Sequence, residues 1–211
     1  MPHRSIAFAS LVLALLVPVT AGAVSIEKGV KAGVNLANFR GGFADIADTR
    51  TKAGFVGGAF VAFGFAPDLA LQVEGLFSMK GAKTVSERTD DAGNPRGEIE
   101  DFWKLSYLEV PVLLRGTLMR TAPVQPMFYV GPTLGFSLGG RFGDDLSEHD
   151  LTDLKPVDLG VAVGAGAGFE LGGKKVRTEV RYTTGFGDLY DLKDNLESIN
   201  NVFSLTAGLA F

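Results

Sequence analysis

Eight stretches of this chain alternate apolar with polar or small residues, and half of them run for more than ten residues. A period of two places successive side chains on opposite faces of a β-strand. Val30, Ala32, Val34 and Leu36 alternate with Lys31, Gly33 and Asn35. Phe55, Ala59, Val61, Phe63 and Phe65 alternate with mostly small residues, and Leu69, Leu71, Val73, Gly75, Phe77 and Met79 with Ala70, Gln72, Glu74, Leu76, Ser78 and Lys80. Leu108, Val110, Val112 and Leu114 oppose Tyr107, Glu109, Pro111, Leu113 and Arg115. Phe128 to Leu138, Leu159 to Phe169, Val176 to Tyr182 and Ser204 to Phe211 repeat the pattern. A strand tilted by about 45° needs ~9–11 residues to cross a bilayer, whereas strands of soluble domains average ~5–6. The lengths favour the membrane.

The connections alternate too. Long polar links (residues 41–52, 81–101, 142–155 and 187–198) take turns with short ones at Ala66-Pro67-Asp68, Met119–Val124 and Gly172-Gly173. That asymmetry is expected of a barrel with long loops outside the cell and short turns in the periplasm. The expected fold is all-β: an eight-stranded, antiparallel, up-and-down transmembrane β-barrel. In such a barrel the last strand pairs with the first, so no edge is left open.

Residues 1–23, MPHRSIAFASLVLALLVPVTAGA, have a basic start, an apolar run from Ile6 to Val17 and small residues at Ala21-Gly22-Ala23. This is the layout of a secretory signal, and the run is shorter than the ~20 residues of a spanning helix. Cleavage after Ala23 is expected, leaving residues 24–211 as the barrel. The chain has no cysteine, so disulfides contribute nothing. Its 28 glycines are nearly twice the ordinary share of ~7% and disfavour helix. Without the signal, 19 basic residues face 24 acidic ones, which argues against a nucleic-acid partner.

YLEVPVLLR (107–115), FYVGPTLGFSLG (128–139), VDLGVAVGAGAGFEL (157–171) and EVRYTTGFGDL (179–189) resemble the PorT-like, OmpA-like family of eight-stranded barrels. The resemblance spans essentially the whole chain after the signal. It implies location in the outer membrane, and it speaks to fold more than to activity. The last segment, with Leu205, Leu209 and Phe211, resembles the C-terminal signature read by the barrel-insertion machinery. That machinery and the outer membrane lipids are the partners it implies.

An eight-stranded barrel is just wide enough for side chains to fill it. The inward rows carry Lys31, Asn35, Gln72, Glu74, Glu109, Arg115, Arg177, Glu179 and Arg181. Unpaired charges there would be costly, so a hydrogen-bonded ion-pair network is expected. Small residues at Gly160, Ala162, Gly164, Gly166 and Gly168, and at Ser204, Thr206 and Gly208, leave the long side chains room to cross the lumen.

Other motifs yield to plainer readings. Gly135-Phe136-Ser137-Leu138-Gly139 matches a nucleophile elbow in letters, but that elbow needs a strand-to-helix turn, and none is expected here. His149 lies in the following loop. Gly164-Ala165-Gly166-Ala167-Gly168 lacks dinucleotide-loop spacing. Asp144, Asp145, Glu148, Asp150 and Asp153 lack the ordered spacing of a calcium loop and read as a solvated acidic loop. Trp103, with Phe102 and Tyr107, reads as part of an interfacial aromatic belt.

No catalytic, cofactor or metal site is expected. The expected role is structural or surface-binding, carried by four extracellular loops and an extracellular ligand or partner protein. The alternative is a narrow channel for small ions or solutes through the polar interior. A soluble periplasmic barrel would instead turn the Leu108–Leu114 and Leu159–Val163 rows inward and the charges out.

Overall fold

The computed structural model describes residues 25–40, 49–89, 95–143, 148–150, 155–186 and 199–211. The signal expected at residues 1–23 and most of the acidic loop lie outside them. The described residues form nine strands: β1 Ser25–Arg40, β2 Thr49–Ala66, β3 Leu69–Thr89, β4 Pro95–Thr117, β5 Val124–Gly143, β6 Glu148–Asp150, β7 Val157–Leu171, β8 Lys174–Gly185 and β9 Ile199–Ala210. Eight of these close into an antiparallel barrel, and the three-residue β6 pairs only with the end of β5.

Closure is made by β1 against β9, in register from Gly29↔Ala210 to Arg40↔Ile199. Two further backbone bonds extend the seam. Phe211 N–H donates to Lys28 O at 2.8 Å, and Lys28 N–H donates to Phe211 O at 3.2 Å. Between β7 and β8 the chain reverses in two residues. Gly172 and Gly173 hold φ of 60° and 75°, the left-handed pair that a tight hairpin turn requires.

The alternation sorts as period two demands. Val30, Val34, Phe63, Phe77, Leu108, Val130, Val163, Val180 and Leu205 are exposed on the outer wall, and Lys31, Gln72, Glu74, Tyr107, Tyr129, Glu179 and Thr206 are buried inside. A soluble barrel would show the reverse. On β5 the outward row from Phe128 to Leu138 covers ten residue steps. At about 3.3 Å per step and a tilt of about 40°, it stands roughly 25 Å tall, the height of a lipid-facing band.

Two readings need correction. Residues 81–101 are not a long loop. β3 and β4 continue through most of them as a hairpin, paired as far as Thr89↔Pro95. β2 stops pairing with β3 at Thr84 and β5 stops pairing with β4 at Phe102, so the outer part of the hairpin is two-stranded. Outside the membrane neither face of it is held against lipid, and the apolar alternation that marks the other strands is absent. The aromatic belt around Trp103 also differs. Trp103 shares the face of Leu105 and Tyr107, both buried inside, and packs on Phe142 with ring centroids 4.5 Å apart.

The outward rows make a depth-dependent prediction. Val163 lies midway along the β7 band and Val157 at its rim. Val163→Arg is expected to cost about 2–4 kcal/mol and Val157→Arg about 0–1 kcal/mol. Urea unfolding in lipid vesicles checks this, and equal costs would contradict the placement of the band.

Candidate functional site in the barrel lumen

The inward faces of β1, β3, β4, β7 and β8 bring their charges together in three groups along the barrel axis. The central group is a closed ring of four. Lys31 Nζ donates to Glu74 Oε1 at 3.0 Å and to Glu179 Oε2 at 2.8 Å. Arg181 grips both oxygens of Glu74 through Nη1 and Nη2, each at 2.8 Å, and its Nε donates to Glu179 Oε1 at 2.5 Å. A forked guanidinium–carboxylate pair is among the strongest side-chain interactions. The glutamates and cations alternate around the ring, so every charge touches two of opposite sign.

Towards the short turns, Glu27 sits between two arginines. Arg115 Nη1 donates to it at 3.1 Å, and Arg177 Nη2 also donates to it. Arg115 reaches Gln72 as well, at 3.0 Å, and Gln72 donates to Glu74 at 2.6 Å, which ties this group to the ring. Towards the long links, Lys80 Nζ stands 2.5 Å from Glu109 and 3.8 Å from Asp158, with its ammonium 4.9 Å from the Tyr107 ring centre. Beside that group Asn35 donates to Ser78 at 2.9 Å, and Ser204 donates to Asn35 at 2.7 Å.

Each group is set by strand register. On β8, Arg177, Glu179 and Arg181 face Gly168, Gly166 and Gly164 of β7 on one side, and Gly208, Thr206 and Ser204 of β9 on the other. A Cβ added to Gly208 would lie 2.9 Å from Lys31 Cβ, so glycine there keeps the Lys31 stem in place. Leu113, Met127, Tyr129 and Ala162 form one buried apolar cluster beside the charges, and Arg177 Nη1 donates to Met127 Sδ at 3.5 Å.

Of the nine residues singled out from the sequence, Lys31, Gln72, Glu74, Arg115, Arg177, Glu179 and Arg181 lie in the two connected groups. Glu109 belongs to the separate Lys80 group, and Asn35 bonds to hydroxyls rather than to charges. Glu27, Lys80 and Asp158 complete the set. Parity already put Lys80 inside, and Glu27 stands two steps of two before Lys31. Together the three groups hold five cations and five carboxylates. Two voids among the described residues touch Lys31 and measure about 20 and 10 Å³, room for about one water each.

Ser137 is half-buried, the register partner of lumenal Tyr107, and His149 is exposed on β6. Among the described residues no group of His, Cys, Asp or Glu is arranged to hold a metal ion.

The family model of the outer membrane protein beta-barrel domain matches residues 23–191. The chain belongs to that family. Solved structures of similar fold include Neisserial surface protein A (14% identity, 90% of this chain and 100% of that one, TM-score 0.49). Others are the attachment invasion locus protein Ail of Yersinia pestis (14%, 88% and 98%, 0.41) and OprG of Pseudomonas aeruginosa (12%, 90% and 98%, 0.45). No curated protein sequence matches the chain. At these identities the likeness is one of fold alone.

Removing one partner from a buried pair strands the other charge, at a cost of about 3–5 kcal/mol. Glu74→Gln is expected to destabilise the barrel by that amount. A double-mutant cycle of Glu74 with Arg181 should show strong coupling, and a cycle of Glu74 with Glu109 should be additive within about 0.5 kcal/mol. Coupling of similar size in both cycles would contradict the division into separate groups.

Proposed function

We propose that this outer membrane barrel is a sealed scaffold whose work is done by the loops at its long-link end, with a structural or surface-binding role. The observation that carries this reading is the four-charge ring of Lys31, Glu74, Glu179 and Arg181. It crosses the lumen from β1 to β3 and β8, with each charge held by two partners. A permeating ion would have to separate bidentate pairs in a low-dielectric interior, and a permeating solute would have to displace them. A fixed scaffold that passes nothing through its centre acts through what it displays at its ends.

The segments around residues 41–48, 90–94, 144–154 and 187–198 supply that display, for an extracellular ligand or partner protein. Export through the signal at residues 1–23 and insertion through the Leu205, Leu209 and Phe211 signature complete the reading. The motifs of β4, β5, β7 and β8 support placement in the PorT-like, OmpA-like eight-stranded group. Catalysis has no part in it.

Orientation is testable because the chain has no cysteine of its own. Single substitutions Asp45→Cys, Asp91→Cys, Asp153→Cys and Asp194→Cys are expected to react with a membrane-impermeant maleimide on intact cells. Asp68→Cys and Thr121→Cys should react only after the cells are broken. Labelling of the second set on intact cells would overturn the assignment of the loops to the surface.

A further inference from the structure

The lumenal charges balance as a whole but not group by group. Lys31 and Arg181 each touch Glu74 and Glu179, and Lys80 faces Glu109 and Asp158. Arg115 and Arg177 share one carboxylate, that of Glu27. The group nearest the short turns therefore carries one positive charge in excess. The other neighbours of Arg177 (Met127, Tyr129 and the Phe60 ring) are neutral. The Nε atoms of both arginines are buried and meet no acceptor among the described residues. Buried donors are normally satisfied, so this pair is short of an acceptor.

Arg177 also borders a cavity of about 380 Å³ at the short-turn mouth of the lumen, lined by Arg120, Gln125, Gly168, Glu170, Lys175 and Arg177. Register builds it. Gln125 of β5, Gly168 of β7 and Arg177 of β8 stand in one inward row, and Gly168 has no side chain to fill the space between the other two. Gln125 Nε2 donates to Arg120 O at 2.6 Å, which pins the β4–β5 turn over the mouth. Lys175 lies two residues nearer the rim than Arg177, about 7 Å along the strand. Three cations and one carboxylate thus line the cavity. Arg120, Lys175 and Glu170 are exposed and form no ion pair among the described residues. Beyond Arg177 the lumen narrows to the void of about 10 Å³ beside Lys31 and Glu179 of the central ring, so the cavity is blind.

We propose that this cavity binds a small organic dicarboxylate. One carboxylate meets Arg177 and supplies the acceptor that the arginine pair lacks. The other meets Lys175 and Arg120 at the rim, a span that a compact anion does not bridge. Placing the mouth in the periplasm rests on the orientation proposed above; the chemistry of the cavity does not.

The test titrates succinate into the refolded mature barrel in zwitterionic detergent micelles at low ionic strength, followed by calorimetry. Saturation at one succinate per barrel is expected. Arg120→Ala with Lys175→Ala should weaken binding roughly tenfold, through the loss of two exposed ion pairs. Glu170→Gln removes a like charge and should tighten it about threefold. Arg177→Lys keeps the charge but loses the planar fork, and should weaken binding at least as much as the rim variant. Heat-modifiable gel migration confirms that each variant is folded; the rim variant leaves the lumenal groups untouched. Absence of saturable binding to the folded wild type, or wild-type affinity in the rim variant, would overturn the proposal. Inorganic phosphate or acetate binding as tightly as succinate would overturn its assignment to a dicarboxylate. A micelle has no sides and carries no current, so the result is independent of the orientation and of the seal, which the cysteine labelling and conductance decide by themselves.

Discussion

Backbone amides that face lipid find no water, and the rest of this structure follows from that constraint. Every N–H and C=O within the membrane must be paired inside the protein, which for strands means a closed ring. The pairing of β1 with β9 supplies the last row, from Gly29↔Ala210 to Arg40↔Ile199. Once the ring is closed, period two leaves each strand two environments. One face must be apolar because it meets lipid. The other is enclosed by eight strands and must be filled.

The filling shows how a narrow barrel accommodates charge. Apolar residues alone could have packed it, as Leu113, Met127, Tyr129 and Ala162 do in one buried cluster. Charged side chains cross the remainder, and their signs balance across the three groups. Buried ion pairs contribute little net stability compared with a well-packed apolar core, because desolvation offsets their attraction. What they add here is connection between strands far apart in the chain. Glu74 of β3 and Arg181 of β8 are never neighbours in the sheet, and their forked contact ties opposite walls together. The glycines and short hydroxyl residues of β7 and β9 are the complement of those long side chains.

Much of this was legible in the sequence. The outward rows could be read because lipid tolerates little but apolar residues along ten positions of a strand. The inward faces followed from the same parity, including that of Lys80. Partners across the lumen could not be read, since they depend on which side chains meet over several strands. Glu109 therefore pairs with Lys80 and not with the central ring, and Glu27 precedes the first clear alternation although it joins two arginines. The β3–β4 hairpin beyond Thr84 was hidden because pairing outside the bilayer imposes no hydrophobic pattern. The bulge by which β5 fits one extra residue between Ser137 and Gly139 against β4 was hidden because period two assumes an unbroken strand, and it turns Arg141 to the face opposite the one that parity gives.

The claim that the lumen is sealed meets its most direct test in single-channel conductance of the refolded mature chain in a planar bilayer, beside Arg181→Ala. With insertion confirmed, a closed ring of Lys31, Glu74, Glu179 and Arg181 gives a wild type without steps, and conductance only where the ring is opened. Reproducible steps from the wild type would contradict the seal and make the barrel a narrow channel.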